Sequence, residues 1–418
     1  MQTICIVGLG YVGLPLAHAF AKNGQKVLGY DISKGRIGEL QKGHDRTNEL
    51  TDEQLKSVSI DYSMDPAVIG KADVVILAIP TPVDEHNNPD LTLVRSASHT
   101  VGKHMKKGAM IVYESTVYPG VTEDLCGKIL EEASGMKRGT DFTLGYSPER
   151  INPGDKEHTV EKIVKIVAGE DEKTLNTLTE VYGSVVKAGI HKASSIKVAE
   201  MAKAIENAQR DLNIAFINEV AMLCNGLGIA TKDVLEAAAT KWNFLKFKPG
   251  LVGGHCIGVD PYYLVEMAKR MSLPTHIITA GRMINDGMSG YIAAKVAKEL
   301  PPKARVLVLG LTFKENIPDT RNSKSQDVIR HMEKTGFTVE AHDPFVAAEE
   351  ISRLGMKPGS LQSGPYDAVL LLVPHQEYIE NGGKALVDAL RSDGLFYDLK
   401  SLLDPEAFAR AGKKYRAL

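Results

Sequence analysis

Cysteine is scarce in this sequence. Only Cys5, Cys126, Cys224 and Cys256 occur among 418 residues, and no two of them have C-x-x-C spacing. That spacing is typical of structural zinc sites, and small disulfide-bonded scaffolds have a far higher cysteine content. The sequence therefore predicts neither a metal site nor a disulfide framework, and it favours a reducing cytoplasmic location.

Long apolar runs and a dominant charge are also missing. No apolar stretch approaches the ~18 residues needed to span a bilayer, and Met1 leads directly into a strand-like run. The formal net charge is only -2, so the chain has no general attraction for nucleic acid or an anionic membrane. We expect no targeting or membrane segment, and we expect partners to be small molecules or copies of this chain.

The composition is otherwise that of an ordinary globular protein. Hydrophobic residues make up 43% and charged residues 24% of the chain. A chain of 418 residues exceeds the size at which single hydrophobic cores stop growing. Two or three domains are therefore expected.

A dinucleotide-binding fingerprint opens the chain. The apolar run Thr3–Val7 leads into a G-x-G-x-x-G segment, a helical pattern follows, and a second strand predicted at 26–30 is followed by Asp31. The first glycine allows a tight turn, the second lets a pyrophosphate approach the backbone, and the third lets helix and strand pack closely. The loop residues predicted to contact the cofactor are Gly8, Gly10, Tyr11, Val12 and Gly13.

Asp31 indicates which cofactor is bound. An acid about twenty residues after the glycines suits the two ribose hydroxyls of NAD and repels the 2′-phosphate of NADP. Lys34 and Arg36 follow closely; they either bear on the preference between NAD and NADP, or touch the adenine or ribose edge, or are solvated surface charges. The sequence predicts NAD.

Three further apolar strands end in polar turns. The strands predicted at 73–79, 109–113 and 143–146 are followed by Thr81, by Ser115 and Thr116, and by Glu149 and Arg150. Ligands of open parallel sheets bind at the carboxyl ends of strands, so these turns are expected to face one crevice. The hydroxyls would bind cofactor or a reactive water, or would cap helices. Glu149 is either a general base or one half of an exposed ion pair with Arg150.

A long helix is predicted from Ser194 to about Gly226, because this stretch lacks proline and glycine and has apolar residues at helical spacing. Its length suits a connection between domains, and such helices often pair with a copy of themselves. We therefore expect a homodimer. Lys203 and Asn207 share one face of the helix, where they either hold an oxyanion or face water.

The segment Gly253–Tyr263 places His255, Cys256 and Asp260 no more than five residues apart, behind a glycine pair. An ionised thiol is a covalent nucleophile, although lone cysteines are commonly small buried hydrophobes. Ahead of this segment, Trp242, Phe244 and Phe247 form either a lid or pocket or a local core. The arrangement favours a catalytic role for the thiol of Cys256.

After Pro301-Pro302 the chain repeats the opening pattern with a single turn glycine. A strand predicted at 305–309, a helix at 324–334 and a strand at 338–341 indicate a second nucleotide fold without the dinucleotide fingerprint. Lys314, Arg321 and Lys324 lie around its first turn and would suit a diphosphate.

The fold class is therefore predicted as α/β, with two Rossmann-like doubly wound parallel-sheet domains joined by a central helical domain that contains one long helix. The predicted boundaries are 1–190 for the NAD-binding domain, 191–300 for the central helical domain with the cysteine, and 301–418 for the second nucleotide-binding domain, which the family resemblance given next implies is a UDP-sugar-binding domain.

Several of these motifs resemble the UDP-glucose/GDP-mannose dehydrogenase family, in order and over nearly the whole chain. They are the segments at 8–13, 80–82, 114–120, 146–150, 253–263 and 312–321, with the helix bearing Lys203 and Asn207. Within the family, residues 241–245 and 255–263 are similar to the UDP-N-acetylhexosamine 6-dehydrogenases. Val259 stands where UDP-glucose enzymes usually have lysine.

The resemblance implies a four-electron oxidation of a sugar C6 alcohol to a carboxylate with two NAD+. Cys256 would trap the aldehyde as a thiohemiacetal and then carry a thioester. Lys203 and Asn207 would stabilise the charged oxygen, Asp260 and Thr116 would position water, and Glu149 would assist hydrolysis. No catalytic role is assigned to His255.

The resemblance also implies the binding residues. Arg282 would reach the sugar site of a neighbouring subunit. The residues expected at the cofactor besides the glycine loop are Asp31, Arg36, Thr81, Ser115, Thr116 and Arg321. Those expected at the substrate are Glu149, Arg150, Lys203, Asn207, Gly253, Arg282, Phe313 and Lys314.

Several alternatives remain. The sugar could be UDP-N-acetylglucosamine, which we favour, UDP-N-acetylgalactosamine or UDP-glucose, with a role in surface polysaccharide synthesis such as capsule or O-antigen. A two-electron β-hydroxyacid dehydrogenase would need neither Cys256 nor the last domain. A non-catalytic sensor would be expected to lose Cys256, Lys203 or Asp260.

Overall fold

The structure is a computed structural model that describes residues 2–84, 86–150, 160–254 and 257–418. The chain forms two compact units. The first comprises Met1–Glu206 and Tyr262–Leu273, and the second comprises Asn207–Pro261 and Pro274–Leu418. The predicted division into three domains at 190 and 300 stays a prediction.

The first unit is built on a sheet of eight strands among the described residues. The strands are β1 (Thr3–Val7), β2 (Lys26–Tyr30), β3 (Ile60–Ser63), β4 (Val74–Leu77), β5 (Met110–Tyr113), β6 (Thr143–Tyr146), β7 (Lys165–Gly169) and β8 (Ile190–Lys192). Their order is β3-β2-β1-β4-β5-β6-β7-β8. The pairing is parallel except between β6 and β7, which are antiparallel. The first six strands follow the doubly wound order, with the switch point between β1 and β4.

Helices cover this sheet on both faces, so its central strands are buried. Ile4, Ile6, Val74 and Ile76 are fully buried, as is Phe20 of the first helix; parallel strands buried on both faces are apolar throughout. The helices are α1 (Gly13–Lys22), α2 (Lys34–Gln41), α3 (Asp52–Lys56), α4 (Thr92–His104), α5 (Gly127–Ser134) and α6 (Glu172–Gly183). Shorter helical turns occupy Pro66–Lys71, Val121–Cys126 and Val160–Lys162.

The predicted long helix is confirmed as α7 (Ile196–Leu227), which has 32 residues and runs from the first unit into the second. Its buried side differs from the one that its apolar pattern suggested. Val198, Met201, Ile205 and Phe216 are between 45% and 61% exposed in the single chain. The buried side instead combines alanines with polar residues. Three more helices follow it, namely α8 (Thr231–Ala238), α9 (Asp260–Arg270) and α10 (His276–Ala297).

The second unit contains a smaller sheet, of six strands in the described residues. The strands are β9 (Arg305–Leu309), β10 (Thr338–His342), β11 (Lys357–Pro358), β12 (Tyr366–Leu371), β13 (Leu390–Asp398) and β14 (Lys414–Ala417). Their order is β11-β10-β9-β12-β13-β14, and every pair is parallel. This repeats the doubly wound order of the first sheet, so the predicted α/β fold class with two such sheets is confirmed.

Five helices accompany this second sheet within the described residues. They are α11 (Lys324–Lys334), α12 (Ala348–Arg353), α13 (Gln376–Ile379), α14 (Lys384–Asp388) and α15 (Pro405–Arg410). Val328, Ile329 and Met332 of α11 are fully buried and pack in one core with Val306 and Val308 of β9. Among the described helices, none has both the length and the apolar character that a membrane span requires.

Candidate active site

The glycine loop after β1 has the geometry that its spacing predicted. Gly8 has φ +92°, and a Cβ there would lie 2.7 Å from the Ala78 carbonyl oxygen. A Cβ on Gly13 would lie 1.9 Å from the Gly8 carbonyl oxygen, so helix α1 and the loop pack too closely for a side chain. Around Gly10, by contrast, the chain leaves the Cβ position open. The loop thus fits a pyrophosphate approaching the backbone at Gly10.

Asp31 lies at the end of β2 and organises this loop. Its carboxylate accepts hydrogen bonds from Leu9 N (2.9 Å) and Ser33 N (2.8 Å) while the residue stays half-exposed. One face of the acid therefore holds the loop, and the exposed part remains available for a ribose. This arrangement fits NAD.

Arg36 is not the solvated surface charge that one interpretation of the sequence allowed. It is buried, donates from Nε to the Leu9 carbonyl (2.7 Å) and pairs with Asp45 (2.8 Å). Asp45 in turn accepts bonds from the backbone of Thr47, Glu49 and Leu50. Arg36 therefore stabilises the glycine loop through its hydrogen bond to Leu9. Its contact with the cofactor stays a prediction.

The hydroxyls at the strand ends join β4 to β5 rather than capping helices. Ser115 Oγ donates to the Ile79 carbonyl (2.6 Å) and accepts from Ile79 N (3.2 Å). Thr81 Oγ1 donates to the Thr116 carbonyl (2.7 Å). The helical turn that follows has Gly120 at its N-cap without a side-chain cap. These bonds fix the crevice edge, where Thr81, Ser115 and Thr116 remain predicted ligands.

Glu149 belongs to a buried charge network that the sequence did not reveal. Lys165 Nζ lies 2.9 Å from a Glu114 oxygen and 3.1 Å from a Glu149 oxygen, and the Tyr182 hydroxyl donates to Glu114 (2.6 Å). Burial lowers the pKa of Lys165, but Glu114 and Glu149 outweigh this effect and raise it. The lysine therefore stays charged beside Glu149, whereas burial raises the pKa of Glu114 despite the lysine.

Arg150 and Lys203 complete the predicted residues of the first unit. Arg150 pairs with Glu206 (2.8 Å) and donates to the Val164 carbonyl (2.8 Å). Its side chain therefore forms its ion pair with Glu206 and not with Glu149. Lys203 is only 7% exposed. The interpretation that Lys203 faces water is wrong.

Asn207 and Asp260 meet in the second unit. Asn207 Nδ2 donates to Asp260 Oδ2 (2.6 Å), and both residues are buried. Asp260 begins α9, four residues after Cys256 in sequence. The structure thus joins two predicted catalytic residues, whereas Cys256 and His255 lie outside the described residues.

The glycine pair before the cysteine is required by the chain's own packing. A Cβ on Gly253 would lie 2.6 Å from the Asn322 carbonyl oxygen, and one on Gly254 would lie 2.7 Å from the Phe313 ring. Gly254 also has φ +84°. In this structure Gly253 thus approaches the backbone at Asn322, and Gly254 approaches the ring of Phe313.

Arg282 is buried within its own chain, 3% exposed. It donates to Asp211 (2.6 Å) and to Asp286 (2.6 Å), and Asn285 also donates to Asp211 (2.7 Å). The sequence offered no signal for this network, because α7 and α10 meet about 70 residues apart in the chain. A role of Arg282 at a neighbouring subunit's sugar stays a prediction.

A cleft of about 340 Å³ opens at the carboxyl ends of β9, β12 and β13. It lies at the switch point of the second sheet, where ligands of doubly wound folds bind. Its walls include three lysines and one acid, namely Lys314, Lys324, Lys400 and Glu315. Lys400 pairs with Glu315 and Lys324 pairs with Asp286 and Asp327, so Lys314 is the better-placed lysine for a diphosphate.

Gly253, Phe313 and Lys314 line this cleft, as their predicted substrate-binding role requires. Lys400 and Glu315 line it too, and sequence reasoning missed both. Arg321 instead pairs with Asp319 through two bonds of 2.6 and 2.9 Å, and its predicted cofactor contact remains untested.

Comparison with known proteins gives a consistent assignment. Three models of the UDP-glucose/GDP-mannose dehydrogenase family match in order: the NAD binding domain at residues 2–186, the central domain at 197–287 and the UDP binding domain at 307–405. These matches include most of the chain.

Individual proteins match over nearly their whole length. Protein CapL of Staphylococcus aureus is 49% identical over 413 residues, which is 97% of each chain. The UDP-N-acetyl-D-glucosamine 6-dehydrogenase of Pseudomonas aeruginosa is 48% identical, covering 96% of this chain and 97% of its own. The solved UDP-D-ManNAc dehydrogenase of Pyrococcus horikoshii is 30% identical with a TM-score of 0.87, covering 99% and 98%.

Proposed function

The chain belongs to the UDP-glucose/GDP-mannose dehydrogenase family and is an NAD-dependent nucleotide-sugar dehydrogenase, and we propose that it oxidises C6 of UDP-N-acetylglucosamine to the carboxylate. The observation that carries the proposal is the buried Asn207–Asp260 hydrogen bond (2.6 Å), because it fixes polar groups beside the thiol segment. The similarity to the Pseudomonas aeruginosa enzyme supports this choice of sugar.

NAD+ supplies the hydride acceptor for each of two successive oxidations at C6. Cys256 adds through its thiolate to the C6 aldehyde and forms a thiohemiacetal, and the second oxidation converts this adduct into a thioester on the same sulfur. Water then cleaves the thioester, which gives the carboxylate and restores the thiol. The covalent adduct keeps the aldehyde from escaping between the oxidations.

Other side chains stabilise charge and move protons. Lys203 and Asn207 stabilise the negative oxygen at C6 by charge and by hydrogen bonding. Asp260 and Thr116 position the water, and Glu149 accepts its proton during hydrolysis. The pairing of Glu149 with Lys165 (3.1 Å) supports this role, because a base must be ionised to accept a proton.

The lysine-lined cleft of the second unit supports a nucleotide-linked substrate. Lys314 provides positive charge for a diphosphate. Lys324 lines the same cleft in an ion pair with Asp286, and Ser323 and Ser325 add hydroxyls at the N-terminus of α11. A helix N-terminus and cationic side chains both favour a bound phosphate. We assign the UDP moiety to this cleft.

We also propose a homodimer. Phe216, Leu223 and Leu227 of α7 are 61%, 63% and 75% exposed in the single chain, and they recur at helical spacing. Exposed apolar residues grouped on one element commonly mark an interface. Light scattering of the purified protein is expected to give twice the 45.4 kDa chain mass, and a monomer at micromolar concentration would contradict the proposal.

The test of function is the number of NADH molecules formed per sugar. With excess NAD+ and limiting UDP-N-acetylglucosamine, we expect two NADH per sugar, and we expect no uronate from Cys256→Ala. UDP-N-acetylgalactosamine and UDP-glucose, assayed in parallel, are expected to react more slowly. Cys224→Ala, which changes a buried thiol of α7, is the matched control and should keep the two-to-one ratio.

Other results would contradict the proposal. One NADH per sugar would exclude the four-electron reaction, and unchanged activity of Cys256→Ala would exclude the thiol mechanism. A faster reaction with either other sugar would replace UDP-N-acetylglucosamine as the substrate.

A further inference from the structure

A buried histidine lies directly behind the substrate cleft. His375 follows β12, is fully buried, and was not singled out in the sequence. Its Nε2 lies 2.9 Å from Asp343 Oδ2 and 3.1 Å from Thr312 Oγ1. Its Nδ1 lies 2.9 Å from Asn316 N. One imidazole therefore contacts both ends of the turn 312–316.

The hydrogen bonds fix which ring nitrogen carries the proton. A backbone N–H can only donate, so Nδ1 of His375 must accept from Asn316. The proton of the neutral ring is then on Nε2, where it is donated to Asp343. Thr312 Oγ1 donates its own proton to the Lys314 carbonyl (3.0 Å), so toward His375 it can only accept, and it shares the Nε2 proton with Asp343.

Asp343 is fully occupied by these contacts. Besides His375, it accepts from the backbone N–H groups of Leu311 (2.6 Å), Thr312 (3.1 Å) and Phe345 (2.8 Å), and it is only 3% exposed. No part of this acid is free for a ribose. Its function in this unit is to hold the turn and to orient the imidazole.

The other side of the same turn lines the cleft. Phe313, Lys314 and Glu315 are wall residues, and Asn316 closes the turn with a left-handed φ of 59°. Asn316 is bound twice to the segment after β12, through its N–H to His375 and through Oδ1 from Gln376 N (3.0 Å). The histidine thus connects the two loops of the switch point.

We propose that His375 is a positioning residue that holds the turn 312–316 in the conformation in which Lys314 and Phe313 receive the UDP part of the substrate. The inference rests on the proposed function, since it takes the cleft to be the UDP site. A purely apolar core would be less costly here, because a buried imidazole and carboxylate must both be desolvated.

Two amide variants separate the contacts of the ring. An asparagine oxygen can replace Nδ1, so His375→Asn can still accept from Asn316 N, and Asp343 keeps its three backbone donors. A glutamine amide can replace Nε2, so His375→Gln still donates to Asp343 but leaves Asn316 N without its acceptor. We expect UDP affinity to fall roughly 10-fold in His375→Gln, the scale of one lost hydrogen bond. In His375→Asn we expect a loss below about 3-fold.

The measurement is calorimetric binding of UDP, followed by KM for the UDP-sugar and for NAD+. KM for NAD+ should stay within about 2-fold in both variants, because the glycine loop belongs to the other unit. His342→Asn is the matched control, since His342 bonds the Tyr378 hydroxyl (2.7 Å) rather than the turn, and it should bind UDP normally. Asn316→Gly is an exposed variant that keeps the left-handed φ and deletes the bond to Gln376 N, and it should also weaken UDP.

The possible failures are distinguishable. If the wild-type protein binds no UDP, the assignment of the cleft fails and the inference fails with it. If the wild type binds UDP and both His375→Gln and Asn316→Gly bind it equally well, only the positioning role is overturned. A parallel loss of UDP and NAD+ binding would indicate general damage and would also overturn it. If His375→Gln does not fold, Asn316→Gly alone decides between these outcomes.

Discussion

Glu200 is a buried carboxyl group of α7 that binds backbone N–H groups outside its own helix. It is fully buried on α7 and accepts from Gly120 N (2.6 Å) and Thr122 N (3.0 Å), so it holds the turn after β5. Burial raises the pKa of Glu200 to about 7, although the hydrogen bonds from Thr122 and Gly120 act in the opposite direction. The folded protein therefore retains a proton here that the unfolded chain loses at lower pH.

The stability of the fold should depend on pH through this residue. Between the ordinary pKa of 4.5 and about 7, the folded state binds one more proton than the unfolded state, so the free energy of unfolding decreases as pH rises. Glu200→Gln cannot titrate. We expect the wild type to lose up to about 3 kcal/mol relative to Glu200→Gln across this window, measured by urea unfolding at a series of pH values.

The control for this prediction is Glu180→Gln, because Glu180 is exposed on α6 of the same unit. Its stability difference from the wild type should not change over the same pH range. A constant difference for Glu200→Gln as well would show that the buried carboxyl does not hold its proton.

At the scale of single elements, the strands were the most predictable part. β1, β2, β6 and β9 begin and end where the sequence predicted, because each is a short apolar run between turn residues and is buried on both faces. β8 and β11 have only three and two residues, too few to show any periodicity. The antiparallel direction of β7 depends on the sheet partner and not on its own residues.

The long helix shows the limit of periodicity. Its length was predictable, since proline and glycine are missing from its interior, but its buried face was not. Both faces carry regularly spaced residues, and only tertiary packing decides which face is covered. The covered face bears Asn207, Asp211 and Asn218, whose partners lie between 32 and 74 residues away. Sequence alone cannot identify such partners.

Asn218 is the α7 residue that anchors the start of the thiol segment. Its Nδ2 donates to the Gly250 carbonyl (3.0 Å) and its Oδ1 accepts from Gly250 N (2.8 Å). It also donates to Asn285 (2.8 Å). Asn207 holds the other end of the segment through Asp260, eleven residues earlier on the same helix face. Both ends of the loop containing Cys256 are therefore fixed to one rigid helix.

Replacing Asn218 with alanine should impair the chemical step more than binding. Misplacing a reacting group by about 1 Å costs up to roughly 100-fold in rate, so we expect kcat of Asn218→Ala to fall about 10- to 100-fold. KM for NAD+ should change less than about 2-fold. Steady-state kinetics and the pH dependence of Cys256 alkylation by iodoacetamide provide the readout.

Asn225→Ala is the matched control for this prediction. Asn225 is also on α7 and bonds α10 through Tyr291 (3.2 Å) and Lys295 (2.7 Å), but those bonds do not involve Gly250. It should keep kcat and the alkylation profile. An equal loss of kcat in both variants would mean that Asn218 contributes to helix packing and does not position the thiol segment. Background alkylation should be low because Cys5, Cys126 and Cys224 are buried.

At the scale of the whole molecule, the two units use the same loop after their first strand. Gly8 and Gly310 have φ values of 92° and 91°, and each donates to the last residue of the neighbouring strand at 2.9 Å. Asp31 and Asp343 each accept from the residue after that glycine, at 2.9 and 2.6 Å. The sequence suggested this repetition through its glycines and acids.

The two acids nevertheless serve different ligands. Asp31 is half-exposed, whereas Asp343 is buried against His375. The second unit also has Thr312 at the position that corresponds to Gly10, so its backbone is less open to a pyrophosphate. The sequence could not reveal this difference, because His375 lies 32 residues beyond Asp343.

Because the two acids differ in this way, we expect each substitution to affect the binding of a different nucleotide. Asp31→Asn removes the charge that favours ribose hydroxyls, so KM for NAD+ should rise about 10-fold and the discrimination against NADP+ should decrease. KM for the UDP-sugar should change little. Asp343→Asn should do the opposite, because it loosens only the turn that carries Phe313 and Lys314. Both constants are measured for both variants with the second substrate saturating. A rise in both constants for either variant would show that the acids do not act on separate nucleotides.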